Sequence, residues 1–316
     1  MGEPIGKEFD KMKKFLQTIM AIILVIGAFI APSIALADSD GSTTEEVVNE
    51  KFGAPIVVYG GNLTEEQKNS VKESLKITDS SDIQEIEVTG QDLVTYLKDG
   101  DASARMFSSA KITRKDAGKG LVINIVTPDN ITEVTSEMYA NAMLTAGIQD
   151  AVVEIAAPKP VTGHSALVGI YKAYEVTGGK LDTERTDVAN DELSVATILS
   201  EEAGIDEAKV SELLTEIKKQ IAEQNPVTRE EVEKIVSEQL SKLQIELSEK
   251  DRQLLIDIMD RIRQLDIDFS KWSDQLNDLS KTIEEKVGNL VDNEGFWQSV
   301  KNFFNNLIDS IRSLFN

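Results

Sequence analysis

The feature that most restricts what this chain can fold into is a stretch of 61 residues, 227–287, that contains neither glycine nor proline. Apolar residues recur in it at three- and four-residue steps, the spacing of one face of a helix. Such a stripe is typical of coiled-coil-like helices, so the sequence predicts long helices over residues 227–291. The stripe comprises Leu240, Leu243, Leu247, Ile258, Ile262, Leu265, Phe269, Trp272, Leu276, Leu279 and Ile283.

These helices have two possible layouts. Ser248-Glu249-Lys250-Asp251 has the character of a helix start and would turn the chain back into a hairpin of two long helices. One unbroken helix is the alternative. In either layout, the apolar stripe predicts self-association through residues 227–291.

The first half of the chain alternates apolar runs with helical segments. A strand, a turn and an Asn-[Leu/Ile]-Thr helix start occur in residues 56–64 and again in residues 123–132. Each is followed by a helix, a strand, Thr-Gly and a second helix, with the later parts in residues 85–97 and 152–177. We interpret this pattern as a β-α-β-α unit present twice and joined by an extra strand within residues 102–115. Chance similarity is the alternative, because the matches are short.

The predicted fold class is therefore α+β: a mixed sheet with packed helices, followed by a long-helix, coiled-coil-like C-terminal region. Residues 102–115 and 120–127 are predicted to pair as a hairpin around the turn Asp116-Ala117-Gly118-Lys119. Residues 121–126 are almost entirely apolar, which predicts a central strand covered on both faces.

The N-terminus has the layout of a secretory signal peptide. Three lysines lie within residues 11–14, an apolar run follows over residues 15–30, and Ala35-Leu36-Ala37 precedes a polar segment. An uncleaved membrane anchor is the alternative, but the short apolar run and Pro32 favour cleavage near Ala37. The sequence thus predicts a secreted protein, extracellular or associated with the cell wall.

These observations predict six segments along the chain. The last of them has a broad apolar face over residues 295–316 with three alternative roles: packing on the chain's own helices, peripheral contact with a membrane, or binding of a partner. The predicted segments are a signal peptide (1–37), a flexible N-terminus (38–52), an α/β domain (53–180), a helical connector (181–226), long helices or a helical hairpin (227–291) and an amphipathic C-terminal helix (292–316).

Composition excludes several classes of function. The chain has 33 Lys and Arg against 55 Asp and Glu, a net charge of −22, which argues against nucleic-acid binding through phosphate contacts. It has no cysteine, which excludes a thiol nucleophile, Cys-ligated metals and lipid attachment at cysteine. A secreted chain without disulfides depends on the burial of its core for stability.

His164 is the only histidine in the sequence. A Ser-His-acid triad would require it, but the adjacent Ser165 is poorly placed for mutual attack, and one histidine without cysteine makes a zinc site implausible. No catalytic residue, metal ligand or cofactor is predicted. Paired carboxylates remain open, because a sequence does not show which acids face each other. The predicted binding residues are Thr162, Gly163, His164 and Ser165, at the exposed start of a helix.

Four motifs resemble the YpuA-like family of secreted Firmicutes proteins, a domain of unknown function (domain of unknown function 1002). The resemblance covers roughly residues 45–290 and implies export and a mixed α/β domain with a helical extension. It implies no activity and no catalytic residues. The motifs are Ala54-Pro55-Ile56-Val57-Val58-Tyr59-Gly60, Thr89-Gly90-x-Asp92-Leu93, Thr162-Gly163-x-x-Ala166-Leu167-x-Gly169-Ile170-x-Lys172-Ala173 and Leu247-Ser248-x-x-Asp251-Arg252.

Two hypotheses for function follow. The first is an exported protein of a Gram-positive cell envelope that binds or assembles with an envelope component or another protein. The second is an envelope hydrolase that uses carboxylates in the cleft between the two repeated units.

Overall fold

In the computed structural model of the protein, residues 54–78 and 83–291 are described. The predicted signal peptide, flexible N-terminus and C-terminal amphipathic helix lie outside these residues. Within them, five strands form one mixed sheet in the order β2-β1-β3-β5-β4. The α+β class with a mixed sheet is therefore confirmed. The strands are β1 (Ile56–Gly60), β2 (Gln84–Val88), β3 (Ser109–Arg114), β4 (Leu121–Ile125) and β5 (Ala151–Ala156).

Nine α-helices are present in the described part of the chain. Most begin at a Ser, Thr or Asp whose side chain accepts from a backbone N–H of the first turn, as preferred capping residues do. The helices are α1 (Glu65–Ser74), α2 (Gly90–Tyr96), α3 (Ser136–Ala146), α4 (His164–Val176), α5 (Thr183–Glu201), α6 (Glu207–Gln224), α7 (Arg229–Lys242), α8 (Glu249–Gln264) and α9 (Phe269–Val291).

The predicted β-α-β-α order occurs twice, as β1-α1-β2-α2 and β4-α3-β5-α4, with β3 between them. Both strand pairs, β1 with β2 and β4 with β5, are parallel. The two units differ in where their first helix lies. Val71 of α1 packs with Val57 and Tyr59, whereas α3 packs on the opposite face of the sheet, which carries Ile56 and Val58. The order of elements is thus repeated, but the arrangement in space is not.

The predicted β-hairpin between residues 102–115 and 120–127 is wrong. β3 pairs antiparallel with β1 and β5, and β5 separates it from β4. Asp150, just before β5, explains this arrangement: its carbonyl accepts from Lys115 N at 2.7 Å and its carboxylate accepts from Gly120 N at 2.7 Å. Asp150 thus binds both the residue that follows β3 and the residue that precedes β4, so β5 lies between these two strands.

The prediction of a covered central strand is also wrong. β4 lies at the edge of the sheet. Leu121, Ile123 and Ile125 face the core, whereas Val122 points to the other face and is 47% exposed. A strand with an apolar run is buried on both faces only where another layer covers each face. On the face that carries Val122, α1 covers only the part around Val57, Tyr59 and Ala156.

The segment without glycine or proline forms three helices, α7, α8 and α9, with breaks at residues 243–248 and 265–268. An unbroken helix is therefore excluded, and the predicted helix start is confirmed: Ser248 Oγ accepts from Asp251 N at 3.2 Å. Ile262, Trp272 and Leu276 of the stripe are buried in the same core as the sheet. A coiled coil is not confirmed, because the stripe packs against the chain's own helices.

A buried ion pair joins α5 and α6. Lys218 Nζ lies 2.7 Å from Glu192 Oε1, and both side chains are fully buried. Thr145 of α3 donates to the other carboxylate oxygen at 2.5 Å, and Lys218 also donates to the Asn141 carbonyl at 3.0 Å. Burial lowers the pKa of Lys218, and the neighbouring Glu192 carboxylate opposes that shift. The two charged side chains, which do not contact water, therefore link helices α3, α5 and α6.

Over residues 54–78 and 83–291, none of the helices combines the length and the apolarity needed to cross a membrane.

Candidate functional site

A cavity of about 630 Å³ lies at the edge of the sheet where β1 and β5 end and β3 begins. This is the carboxyl edge of the parallel strands, where open α/β sheets place their ligands. Its walls are the loop before β3 (residues 104–108), the loop after β5 (residues 159–163) and the first turn of α4, with further contacts from α2 and α5. We call it the loop cavity.

The loop before β3 is held by two glycines and one asparagine. A Cβ at Gly60 would lie 2.4 Å from the Met106 carbonyl oxygen, and one at Gly90 would lie 2.2 Å from that of Ala102. Only glycine allows the loop to approach so closely. Asn62 Oδ1 accepts from Met106 N at 2.7 Å, and Asn62 N donates to Met106 O at 3.0 Å. The Gly60-Gly61-Asn62 turn therefore positions one wall of the cavity.

The loop after β5 is held in a similar way. Asn130 Nδ2 donates to the Ala157 carbonyl at 2.8 Å, and Thr127 Oγ1 accepts from Ala157 N at 2.9 Å. Val161 N donates to Asn130 O at 3.0 Å, and Thr132 N donates to Val161 O at 2.9 Å. These bonds place the second wall opposite the first.

Helix α4 begins in this cavity without a capping side chain. Its N-cap is Gly163, with φ of +105°, a conformation that favours glycine. The Gly163 carbonyl accepts from the Tyr139 hydroxyl at 2.6 Å, and a Cβ at this position would lie 2.7 Å from that hydroxyl. The first-turn N–H groups of an uncapped helix carry partial positive charge and seek acceptors, and His164 and Ser165 of this turn line the cavity.

Two cationic side chains and an aromatic ring lie on the wall. Lys159 Nζ is 3.7 Å from the ring centroid of Phe107, and Arg105 Cζ is 5.7 Å from it. Neither cation forms an ion pair with any carboxylate among the described residues. In a chain with a net charge of −22, this part of the surface is locally positive.

Ser108 adds a buried polar group. It is 1% exposed, and its hydroxyl has no hydrogen-bond partner in the part of the chain that the structure describes. Its backbone N–H donates to Ser165 Oγ at 3.4 Å. A buried hydroxyl without a partner costs on the order of 1–3 kcal/mol, so this wall favours a ligand that supplies a polar atom.

His164 lies between the loop cavity and a second one. Its Nε2 is 3.4 Å from Thr197 Oγ1, and its Nδ1 is 3.9 Å from Glu133 Oε2. Burial lowers the pKa of His164, so the imidazole is neutral at neutral pH. The Thr197 hydroxyl donates to the Ser194 carbonyl at 3.0 Å, and the residue is 6% exposed.

The second cavity, of about 400 Å³, is lined by carboxylates. Glu133, Glu137 and Glu207 contribute to its wall, and we call it the acidic cavity. Burial raises the pKa of Glu133, with a contribution from Glu201. Burial and the neighbouring carboxylates Asp206, Glu137 and Glu201 raise the pKa of Glu207. Raised carboxyl pKa values in a cleft are a property of acid catalysts and also of crowded surface acids.

The structure places all four predicted binding residues, Thr162, Gly163, His164 and Ser165, on the wall of the loop cavity. Their role in binding stays a prediction. The opposite wall was not predicted, because Arg105, Phe107 and Ser108 lie in a loop that carries no motif. Within residues 54–78 and 83–291, no three His, Asp or Glu side chains converge as a metal site.

The family whose model matches this chain is described as "Protein of unknown function (DUF1002)", and the match covers residues 59–279. The chain is also 31% identical over 314 residues to the uncharacterized protein YpuA of Bacillus subtilis (strain 168). That alignment covers 96% of this chain and 100% of the relative. This chain belongs to the DUF1002 family. No solved structure matches it.

The DUF1002 match contains every residue that lines the loop cavity, from Leu93 to Asn190. It also contains the first 11 of the 23 residues of α9, as far as residue 279. The cavity, strands β2 to β5 and helices α1 to α8 thus lie in the region common to this family.

Proposed function

We propose that this protein is exported to the envelope of a Gram-positive cell and acts there by binding, with the loop cavity as its recognition site. One observation carries the proposed binding role: the cavity combines an uncapped helix start with two cations and a buried hydroxyl that have no carboxylate or hydrogen-bond partner, respectively, within residues 54–78 and 83–291. Pockets that combine an apolar lining with a few convergent polar groups are the usual sites of small-ligand binding.

Export is supported by the signal-peptide pattern of residues 1–37. It is tested by separating expressing cells into cytoplasm, membrane, wall and medium and by measuring the mass of the recovered protein. We expect a mature chain that begins near Asp38 in the wall or the medium. A full-length chain confined to the cytoplasm would show that the export proposal is wrong.

Binding at the loop cavity is tested by capture of envelope material. Immobilised protein is incubated with wall and membrane extracts beside a variant that carries Arg105→Glu and Lys159→Glu. A control variant carries Lys234→Glu and Lys250→Glu, at lysines of α7 and α8 whose side chains are 78% and 80% exposed. We expect capture by the wild type and the control only. Equal capture by all three would overturn the proposal.

The proposal also includes assembly of the protein with further copies of itself. Helices α7 to α9 use most of the apolar stripe for the chain's own core, with Trp272 and Leu276 fully buried. Self-association through residues 227–291 therefore needs the outer faces of these helices. Sedimentation of the purified protein at several concentrations tests it, and a monomer at every concentration would exclude it.

A second candidate function, carboxylate-based hydrolysis of envelope material, is favoured by the acidic cavity. The raised pKa values of Glu133 and Glu207 suit a general acid. The test is release of soluble fragments from purified cell walls by the wild type and by Glu133→Gln and Glu207→Gln variants. Release that depends on either glutamate would support hydrolysis, whereas the absence of release by the wild type would exclude it for that substrate.

A further inference from the structure

We infer that the loop cavity binds the anionic head group, a carboxylate or a phosphate, of a small amphiphilic molecule. This inference rests on the proposed function, because it assigns the ligand class of the same cavity. Four features of the cavity converge on it: a helix start, a buried hydroxyl, two cations and an apolar lining.

The helix start supplies backbone donors. Helix α4 has 13 residues, and Gly163 stands where most of the described helices have a capping side chain. An uncapped helix N-terminus favours an anion, since its free N–H groups and the helix dipole both point toward it. His164 and Ser165 of this first turn lie on the cavity wall.

Ser108 is the independent observation that points to a ligand. Its hydroxyl is buried and lacks a partner among the described residues, and the residue belongs to the wall of the same cavity. A hydroxyl is both a donor and an acceptor, and an anionic oxygen is the partner that forms the stronger bond with it. Its backbone bond to Ser165 Oγ places it beside the start of α4.

Arg105 and Lys159 indicate that the ligand carries a negative charge. Both contact Phe107 rather than a carboxylate, although the chain carries 55 acidic side chains. A guanidinium and an ammonium on one rim attract an anion and disfavour a cation. Neutral ligands gain nothing from this pair.

Much of the remaining lining is apolar and favours a hydrocarbon part. Leu93, Leu97, Met106, Val161 and Val168 contribute to it beside the polar Asn190, and the volume of about 630 Å³ exceeds what an inorganic anion fills. An organic acid or a phosphate ester with a short alkyl chain matches both parts.

Isothermal titration calorimetry with three probes of one chain length tests this inference: hexanoate, hexyl phosphate and 1-hexanol. We expect the two anions to bind and the alcohol to bind at least tenfold more weakly. The stronger of the two anions identifies the head group. Lys159→Gln and Ser108→Ala are each expected to weaken anion binding about tenfold, the effect of one charge-assisted hydrogen bond. Lys234→Gln on the exposed face of α7 is the control and is expected to bind as the wild type does.

Ser108→Ala also separates binding from folding. Because its hydroxyl has no partner in the described structure, its removal is expected to raise the midpoint of thermal unfolding while it weakens anion binding. Tight binding of 1-hexanol would overturn the anionic assignment but retain the cavity as a recognition site. If no probe binds, the inference is wrong, whereas the proposed function fails separately on equal capture of envelope material by wild type and charge-reversed variants.

Discussion

Asn62 Oδ1 accepts a hydrogen bond from Met106 N at 2.7 Å, across 44 residues of the chain. Asn130, which occupies the matching place after β4, donates from its side chain to the Ala157 carbonyl at 2.8 Å. Each asparagine follows a strand and binds the loop beside it. Together they fix the two walls of the loop cavity, which gives a physical reason for the repeated Asn-[Leu/Ile]-Thr motif.

Substitution of Asn62 by alanine is expected to lower the free energy of unfolding by about 1–2 kcal/mol, because Met106 N–H loses its acceptor in a partly buried place. Asn62→Asp keeps an acceptor oxygen at the same position and serves as the matched control. It is expected to lose less than half as much. Urea denaturation measures both values. Equal losses in the two variants would show that the bond does not hold the loop.

Gly163→Ala is expected to destabilise the fold by at least about 2 kcal/mol more than Gly118→Ala. Both glycines have positive φ, +105° and +82°, so both variants carry backbone strain. They differ in space: a Cβ at Gly163 meets the Tyr139 hydroxyl at 2.7 Å, whereas no atom of the described residues lies within 4 Å of one at Gly118. The difference between the two variants in urea denaturation therefore measures the loss of free energy of unfolding that is caused by the steric clash alone. A similar loss in both variants would contradict close packing at the start of α4.

Lys218→Met is expected to lower the free energy of unfolding by about 3–5 kcal/mol. The methionine leaves the Glu192 carboxylate buried with Thr145 as its remaining partner. The double variant Lys218→Met with Glu192→Leu removes both charges and is expected to be more stable than the single variant. Urea denaturation of the three proteins measures the difference. A double variant less stable than Lys218→Met would show that the ion pair does not act as a unit.

His164 is expected to titrate with a pKa below 6.5, because burial disfavours its charged form. As the sole histidine, it gives one imidazole signal in an NMR titration of the untagged protein. Between 6.5 and its lower folded value, the unfolded state binds a proton that the folded state does not. His164 therefore costs stability as the pH falls below 6.5 and costs none above it.

The matched variant for this prediction is His164→Asn, which removes the titrating group. The wild type is expected to lose more free energy of unfolding than the variant between pH 7.5 and pH 5.5. Glu133 faces the imidazole and has a raised pKa of its own, so the difference between the two proteins is the quantity to compare. A measured pKa at or above 6.5 would contradict the burial of the ring.

Local signals predicted much of this fold. The Asn-Leu-Thr helix start ends at Thr64, which caps α1, and Ser248 begins α8 as expected. The position of β5 was beyond such signals, because it depends on Asp150 binding both sides of a distant turn. The cationic side chains of the loop cavity were not predicted from the sequence either. Arg105 and Lys159 lie in separate loops, and only the folded sheet brings them to the same ring of Phe107.

The single core that runs from Ile56 of β1 to Trp272 of α9 has a consequence for the timing of folding. Contacts so distant in sequence form late, since a long loop must close before they stabilise anything. During synthesis, a chain that has not yet released α9 leaves Lys218 without the Trp272 ring of α9 that covers it in the folded protein. Such a chain stays incompletely folded until nearly all of it has emerged, and that delay is compatible with the export proposed above.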